Sequence, residues 1–586
     1  MATILEEQRR RLARHERPLF ERVQDWLGRV EIGGGVNLFH FGLFVALALG
    51  VVIFYTGTQF YGLRDAEAMN LGQLGRNLAS GRGYVTRSVR PADVYYLNAL
   101  GRPTLGGERI AVPELWTPPA YPLVLSLAFR AAGQAGRGAA DRPMLNGDRL
   151  MMIAGWVFFG VGLGLTYWLS HELFDRRVAV LAAFLYLFCN PLLDHAMAGL
   201  PTGFLSVLLL VVVTALFKAR QWQGLGQPRW WVFGGLAVSA VALGLGILTE
   251  YVFAALVVPW LIYVGLTFRR QLVGSLAIGV TMLLLVLTPW MVANYRASRA
   301  LFGLAPRALM EETGRGTDHE IRVGQLQRSY AAPPAVGLRV IGRKALINLR
   351  EMYENTIKDI GGNYSIVFFL VSLLHRFRRE EVLRLQRLLF VGVIGCVLWL
   401  SIAGAAKRNP LTFFTPVMII YAAAFFFVMF ERLQFRTRAS RAGMVALFAG
   451  VNMVPFGLAI LPPRDTFPYP PYNAAVAGQL AEIFRPGELL ASDIPWAVAW
   501  YADRTALWAP LEQRDYMQLH DEVRNIEGIY VTQATLLGQS GLEMLGGYQQ
   551  FWWRMFLAPP EKSFPLQYPA PMTPDRQQLL ISNRKP

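Results

Sequence analysis

Long apolar runs alternate with short polar segments over most of the chain. Most of these runs approach the ~20 residues that a helix needs to cross the hydrocarbon core of a bilayer. They lie at 38–57, 149–170, 178–193, 200–217, 231–248, 251–267, 272–290, 364–377, 388–405, 411–430 and 441–461. The run at 364–377 is the shortest of them. The pattern therefore predicts a polytopic α-helical membrane protein with about eleven transmembrane helices.

Basic residues mark every second connection between the runs. Short cytoplasmic loops carry an excess of Arg and Lys. With the N-terminus inside, the basic connections fall at 171–177, 218–230, 268–271, 375–387 and 431–441. This orientation makes 1–37 a cytoplasmic basic segment. It also places the first loop, 58–148, and the tail, 463–586, together on the outer face.

The apolar stretch 119–133 decides whether this orientation holds. It has only about fifteen residues, begins at the Pro118-Pro119 pair and contains Arg130. A segment of this kind more often lies in the membrane interface, or re-enters from the same side, than crosses the bilayer. If it crossed, every later loop would change sides. We therefore expect it to be interfacial or re-entrant.

The chain changes character at its C-terminal end. Residues 38–462 contain all the apolar runs, and the tail opens with a Pro-rich stretch that includes Pro462 and Pro463. Short apolar stretches and turn residues then alternate, and Ile529-Tyr530-Val531 is typical of a strand. We expect a C-terminal extracytoplasmic domain of α/β or α+β type.

Composition agrees with a membrane protein and excludes other classes. Hydrophobic residues make up 54% of the chain and charged residues only 17%, against about a quarter in soluble domains. The net charge of +17 follows largely from the basic loops, and no nucleic-acid-binding signature is present. Cys189 and Cys396 lie in or beside apolar runs, so neither a disulfide nor a cysteine-based metal site is expected.

Ionisable residues gather at the predicted outer ends of the helices. Such groups are costly at a membrane boundary and often mark function, although charged helix ends also serve as anchors. Carboxylates there could remove a proton from a hydroxyl, and Arg or Lys could hold a phosphate. For Asp194 and Glu250 both interpretations stay open. The set is Arg64, Asp65, Glu67, Asp194, Glu250, Arg296, Lys407 and Arg408.

Four stretches resemble the GT-C glycosyltransferases. The resemblance is narrowest to the glycosyltransferase family 39-like group, with the protein O-mannosyltransferases and the lipid A aminoarabinose transferases. The stretches follow the family's order over roughly 40–460. They are Asp65 with Arg76-Asn77-Leu78-Ala79-Ser80-Gly81-Arg82-Gly83-Tyr84, then Thr117-Pro118-Pro119-Ala120-Tyr121-Pro122-Leu123, then Leu287-Thr288-Pro289-Trp290-Met291-Val292-Ala293-Asn294-Tyr295, and finally Lys407-Arg408-Asn409-Pro410 with Phe414-Thr415-Pro416.

The resemblance implies a GT-C-like fold and transfer of a sugar from a polyprenyl-phosphate carrier on the outer face. By this resemblance the first-loop carboxylate, Asp65, is the catalytic base. Donor phosphate binding falls to Arg64, Arg296, Lys407 and Arg408, and substrate binding to Glu67, Tyr121, Asp194 and Glu250. Three positions depart from the family pattern, because Ala66 separates Asp65 from Glu67, Ala293 replaces the usual Arg, and Thr117 replaces a basic residue.

The implied partners are a polyprenyl-phosphate sugar, membrane lipid and an extracytoplasmic acceptor that is a protein, lipid or glycan. The sequence requires no cofactor and shows no metal cluster, and dependence on a divalent metal stays open. Two other functions remain. A transporter or lipid flippase would carry ionisable residues near mid-membrane, whereas here they lie at the ends of the runs. A non-catalytic envelope binding protein would use the aromatic stretch Pro495–Tyr501 on sugar rings, a stretch that could equally form a buried core.

Overall fold

The computed structural model describes residues 35–103, 105, 110–133, 145–310, 325–332, 337–356, 360, 362–404, 410–433, 437–461, 474–535, 552, 554, 555, 560, 564–574 and 577–584. The basic segment 1–37 falls almost entirely outside them. The chain divides into two units, Met1–Phe60 and Tyr61–Pro586. In the first unit, α1 (Gly35–Gln59) is an apolar helix long enough to cross a membrane.

The second unit contains the first loop, the remaining membrane helices and the tail. The first loop has α2 (Ala66–Ala79), β1 (Val85–Thr86), β2 (Ser88–Val89), α3 (Pro91–Ala99), β3 (Val112–Pro113) and α4 (Ala120–Ala131). Then follow α5 (Leu145–Leu173), α6 (Arg176–Leu187), α7 (Asn190–Met197), α8 (Thr202–Gly224), α9 (Arg229–Ile247), α10 (Val257–Thr267) and α11 (Leu272–Ser298).

The chain continues with α12 (Gln325–Arg328), α13 (Leu338–Glu351), α14 (Ser365–Ser372), α15 (Glu380–Ala403), α16 (Thr415–Arg432) and α17 (Arg438–Ile460). The tail has α18 (Ala474–Ile483), β4 (Leu489–Ser492), α19 (Pro495–Ala497), β5 (Thr505–Trp508), α20 (Gln513–Gln518), β6 (Ile526–Val531), β7 (Tyr568–Pro571) and β8 (Leu579–Ser582). Ile529-Tyr530-Val531, predicted to be a strand, is the second half of β6.

The predicted class, a polytopic α-helical membrane protein, is confirmed, but the predicted number of eleven spans is not. Among the described residues, 8 helices are long and apolar enough to cross a membrane, or up to 9 if a bent pair counts as one span. That pair is α6 and α7, which meet at 53°. Pro191 at the start of α7 explains the break, because proline cannot continue the helix before it. The predicted runs at 251–267 and 364–377 form shorter helices.

The tail and the first loop build one β-sheet. Its strand order is β2-β5-β4-β6-β8-β7, with β2 supplied by the first loop. The pairs β2–β5, β5–β4 and β4–β6 are parallel, whereas β6–β8 and β8–β7 are antiparallel. An open sheet does not occur within the hydrocarbon layer. The first loop and the tail therefore lie on the same side of the membrane.

An arginine cluster locks the first loop to the tail. Arg76, Arg82 and Arg87 each place a guanidinium nitrogen 3.1–3.2 Å from Oδ1 of Asp503. Arg76 also donates to the backbone carbonyls of Trp500 and Ala499, at 2.9 and 2.7 Å. Two arginines of the first-loop motif thus act as anchors for the tail.

The helix α4 packs with the first loop and the tail and does not cross the membrane. Its 12 residues would reach only about 18 Å, too short for the hydrocarbon core. Leu125 and Phe129 are buried in a core that also contains Trp500. Leu123 and Leu127, on another face of the helix, are 49% and 64% exposed. The helix is therefore amphipathic, as an interfacial segment would be.

Trp500 fits between two glycines, and this contact gives a prediction. A Cβ atom at Gly72 of α2, or at Gly147 of α5, would lie 2.8 Å from the indole ring. We expect Gly147→Ala to lower stability by about 1–3 kcal/mol, the usual cost of overpacking. Gly164→Ala, in the same helix, is the control because its Cβ would meet nothing within 4 Å. Thermal unfolding midpoints in detergent that fall equally in both variants would contradict the packing role of Gly147.

Candidate functional site

The start of α2 holds the predicted catalytic base. Asp65 occupies the N-terminal cap position in an extended backbone conformation, is half-buried, and does not cap the helix with its side chain. The guanidinium of Arg64 lies 5.7 Å from the ring centre of Tyr61. The two residues therefore sit where the first loop turns into its first helix.

A buried aspartate that the sequence analysis missed fixes this turn. Asp148, in the first turn of α5, accepts hydrogen bonds from the Leu63 amide at 3.2 Å and from Tyr501 at 3.1 Å through Oδ2. Its Oδ1 accepts from the Trp500 indole at 2.7 Å. One carboxylate thus joins a membrane helix, the tail and the residue just before Arg64. In the sequence, the only sign of this role is that Asp148 stands just before the apolar run 149–170.

Two glutamates that lie far apart in sequence form a pair. Glu67, in the first turn of α2, is hydrogen-bonded to Glu250, in the connection between α9 and the following helical turn. Burial raises the pKa of Glu250. Two carboxyl groups in contact avoid repulsion when they share a proton. We call Glu67 and Glu250 the carboxyl pair.

Tyr121 completes this part of the site. Burial and, to a smaller extent, the charge of Glu67 raise the pKa of Tyr121 above its ordinary range. Its hydroxyl donates to the carbonyl of Gly199 at 3.0 Å. The amide of the preceding residue, Ala120, donates to the carbonyl of Leu248 at 2.7 Å. The first loop is thereby tied to the ends of α7 and α9.

Three of the four motif stretches meet around Tyr84. The Tyr84 hydroxyl donates to the carbonyls of Thr117 and Pro118, both at 3.0 Å. The Tyr84 ring packs edge-on against Trp290, with 5.3 Å between centroids, and the Trp290 indole donates to the Tyr251 hydroxyl at 3.0 Å. Three of the four stretches that resemble the family motifs, separate in sequence, are therefore neighbours in space.

Three largely buried charged residues, Arg90, Asp93 and Glu114, hold the turn at Thr117–Pro118 in place. The amides of Trp116 and Thr117 both donate to Oε1 of Glu114 at 3.0 Å, and Arg90 pairs with the same oxygen at 3.1 Å. Asp93 accepts from the Trp116 indole at 2.5 Å. Burial raises the pKa of Asp93 to about 7. This group positions the turn and lies outside the predicted site residues.

The other predicted site residues are placed differently. Asp194 is half-buried on α7, whose following turn reaches Tyr121 through Gly199. Arg296 is exposed on the last turn of α11, on another face from the buried Trp290. Lys407 and Arg408 lie outside the described residues. The structure thus brings together Glu67, Tyr121 and Glu250, and Glu67 lies two residues after Asp65.

The chemistry available is that of acids, hydroxyls and aromatic faces. Among the residues described, no group of three or more His, Cys, Asp or Glu side chains could hold a metal ion. Asp65 is a carboxylate at the start of α2. The carboxyl pair and Tyr121 can donate or accept hydrogen bonds with a polyhydroxyl ligand. Such a site suits binding of a sugar and removal of a proton.

Comparison with known proteins defines the architecture. No protein-family model matches the chain, and no curated protein sequence does. Solved structures do match. The structure of ArnT, the lipid A aminoarabinose transferase, from Cupriavidus metallidurans in the apo state aligns over 94% of this chain and 98% of its own, with a TM-score of 0.55 and 12% identity. The chain has the GT-C fold.

Two further structures agree. The archaeal oligosaccharyltransferase AglB from Archaeoglobus fulgidus, in complex with an inhibitory peptide and a dolichol-phosphate, aligns over 88% of this chain and 70% of its own, with a TM-score of 0.52 and 13% identity. ArnT bound to undecaprenyl phosphate aligns over 93% and 98%, with a TM-score of 0.51 and 12% identity. The GT-C fold expected from the four sequence stretches is therefore confirmed.

Proposed function

We propose that this protein is an integral-membrane glycosyltransferase that transfers a sugar from a polyprenyl-phosphate-linked donor to an extracytoplasmic acceptor. The observation that carries the proposal is the meeting of Glu67, Glu250 and Tyr121 beside Asp65. They come from the first loop and from the end of a membrane helix, inside a GT-C fold. Carboxylates at the ends of membrane helices are costly and so favour a functional role.

The nature of the donor is supported by the solved structures that share the fold. One was determined with undecaprenyl phosphate and another with a dolichol-phosphate and an inhibitory peptide. In this chain, a donor of the same kind would keep its polyprenyl tail in lipid and raise its phosphate and sugar to the boundary where Asp65 lies. The acceptor is a protein, a lipid or a glycan.

The proposed reaction is a direct displacement with inversion. Asp65 removes the proton from an acceptor hydroxyl, whose oxygen forms a bond to C1 of the sugar while the bond from C1 to the phosphate oxygen breaks. The phosphate leaves with the electron pair. We propose that its negative charge is stabilised by Arg64, Arg296, Lys407 and Arg408. Preorganised charge of this kind often supplies the largest share of catalysis.

The remaining site residues bind the sugar in this proposal. Glu67, Glu250 and Tyr121 form a hydrogen-bonding wall, and Asp194 lies on the helix that borders Tyr121. Sugar hydroxyls both donate and accept hydrogen bonds, and a carboxyl pair that shares one proton can also do both. No step of the proposed reaction requires a metal ion.

The experiment that tests the function is a transfer assay. Purified protein in detergent is mixed with radiolabelled polyprenyl-phosphate sugars and a crude cell-envelope extract, and label is followed into lipid, protein and glycan fractions. We expect transfer from at least one donor. A panel of hexose and pentose donors that gives no transfer, under conditions where the protein stays folded, would refute the proposal.

The orientation of the site gives a second prediction. If the first loop and tail face outward, cysteines at the exposed positions Ala99 and Glu512 will react with a membrane-impermeant thiol reagent in intact cells. Gln227→Cys, on the opposite end of the bundle, is the control and will react only after lysis. The native Cys189 and Cys396 are buried and give little background. Labelling of Gln227→Cys alone would reverse the orientation.

Phosphate binding gives a third prediction. Lys407 and Arg408 precede α16 in the stretch that resembles the last family motif. We expect Arg408→Ala to weaken binding of a polyprenyl-phosphate donor by about tenfold or more, because one charge-assisted hydrogen bond is lost. The thermal unfolding midpoint without donor will not change. Unaltered donor affinity would transfer the role to Arg64 or Arg296.

A further inference from the structure

A basic cavity lies at the end of the helix bundle away from the candidate site. It has a volume of about 770 Å³ and is lined by the C-terminal ends of α8 and α10 and the N-terminal part of α15. The other end of α8, at Thr202, meets His195 near the Gly199 carbonyl that Tyr121 contacts. Since α8 has 23 residues and a length of about 35 Å, the cavity lies at the opposite membrane boundary.

Guanidinium groups dominate the rim of this cavity. The lining arginines are Arg220, Arg269, Arg270, Arg384 and Arg387. Glu380, the acid in the lining, is engaged by Arg384 at 2.6 Å, and Glu381 lies 3.9 Å from Arg220. Over the described ranges no ion pair is found for Arg269, Arg270 or Arg387. The cavity therefore keeps an excess of positive charge that its own carboxylates do not neutralise.

Two buried hydroxyl groups lie in the same wall. Tyr263 and Thr267 line the cavity and are only 5% and 7% exposed. The two hydroxyls interact with each other, and among the described residues no further hydrogen-bond partner is found for either oxygen. This hydroxyl pair keeps hydrogen-bonding capacity that the protein does not use, so a ligand oxygen that accepted a hydrogen bond here would be favoured.

The lower part of the cavity is aliphatic and open to the side. Ile262, Leu266 and Val391 line it and are 51%, 54% and 45% exposed. On a membrane helix these exposed side chains face lipid. A positive rim above an aliphatic wall matches the two parts of a phospholipid, and the volume falls within the range of ordinary ligand pockets.

We propose that this cavity binds an anionic phospholipid, with its headgroup phosphate among Arg269, Arg270 and Arg387 and an acyl chain along Ile262 and Leu266. Arg holds phosphate oxygens by paired hydrogen bonds, and Tyr263 is placed to donate another. The positive-inside rule explains why arginines are frequent on this face, but not why they converge on a cavity whose wall contains two buried hydroxyls. The site is independent of the proposed transferase reaction.

The test measures lipid-dependent stability of the purified protein in detergent. Dioctanoyl phosphatidylglycerol is titrated against dioctanoyl phosphatidylcholine, and the thermal unfolding midpoint is recorded at each concentration. We expect saturable stabilisation by phosphatidylglycerol and little or none by phosphatidylcholine. Inorganic phosphate is the third arm. Equal stabilisation by both lipids, or by inorganic phosphate as strongly as by phosphatidylglycerol, would overturn the proposal.

Paired variants separate the cavity from general surface charge. We expect Arg270→Gln with Arg387→Gln to raise the half-saturating phosphatidylglycerol concentration by about tenfold or more. Arg229→Gln with Arg438→Gln removes the same charge from exposed positions on the same face and is the matched control. An equal loss in both pairs would show a diffuse surface effect and refute the site. Tyr263→Phe, which removes one oxygen, gives the same test should the double variant fail to fold.

Discussion

Asp65→Asn is expected to lower sugar transfer by roughly 10²–10⁴-fold, the usual contribution of a general base. The substitution keeps the size and hydrogen bonding of the side chain and removes its basicity. It is also a mild change for the fold, because Asn serves at a helix N-terminus as well as Asp and the Asp65 side chain makes no capping bond. Transfer is measured with equal amounts of folded wild-type and variant protein in detergent.

The neighbouring glutamate supplies the comparison. Glu67→Gln keeps a hydrogen bond to Glu250 and is expected to reduce transfer less than Asp65→Asn does. Asp65→Glu is expected to retain a trace of activity, because the carboxylate survives but moves by one methylene. Donor binding is expected to survive Asp65→Asn, because the proposed phosphate contacts lie elsewhere. Near-normal transfer by Asp65→Asn would remove Asp65 from the mechanism and make Asp194 or Glu250 the next candidate.

The fold class could be predicted from the sequence because bilayer thickness fixes the length of an apolar helix. The number of spans could not, since length and hydropathy do not report breaks. The run at 178–193 becomes two helices because of Pro191, and the run at 364–377 contains a helix, Ser365–Ser372, of only eight residues. A hydropathy pattern does not register the effect of a single proline, and it contains no information on packing against neighbouring helices.

The candidate site was only partly visible in the sequence. Glu67, Tyr121 and Glu250 were candidates because of their position at helix ends, but their contact joins residues almost two hundred positions apart. Asp148 was missed because its role appears only when Trp500 and Tyr501 of the tail are placed against it. A sequence pattern records which residues end a helix and gives no information on which ends meet.

The role of the tail also could not be predicted from the sequence. Its aromatic stretch could have been a sugar-binding face, but Trp500 and Tyr501 are each only 3% exposed and hold the start of α2 and α5. The sheet also takes β2 from the first loop, a strand of two residues that no periodicity can reveal. The tail therefore holds the first loop in place through β2, Trp500 and Tyr501, and we call this set of contacts the clamp.

The charge at the centre of this clamp is Asp503, and its removal should release the tail. Its side chain is 10% exposed, it adopts a left-handed conformation with φ of 52°, and it is shared by Arg76, Arg82 and Arg87. Asp503→Asn keeps the shape, and Asn tolerates this conformation. The variant leaves three arginines without their counter-charge, so we expect a loss of about 3 kcal/mol or more in stability.

The pH dependence gives this prediction its own signature. Although burial alone would raise it, the three arginines hold the pKa of Asp503 below its ordinary value of 3.8. A carboxylate with a lowered folded-state pKa stabilises the protein above the unfolded-state value and loses that contribution as pH falls through the folded-state value. The difference in unfolding midpoint between wild type and Asp503→Asn will therefore be full at pH 6 to 7 and shrink below about pH 4.

Thermal unfolding and limited proteolysis of the tail measure the effect in detergent. Glu512→Gln removes one negative charge from an exposed position of the same domain and is the control. We expect Asp503→Asn, and not Glu512→Gln, to expose the tail to protease and to lower transfer, because Trp500 and Tyr501 would no longer hold Asp148 and the turn before Asp65. If the tail of Asp503→Asn resisted protease as well as the wild type, the arginine cluster would be incidental to the site.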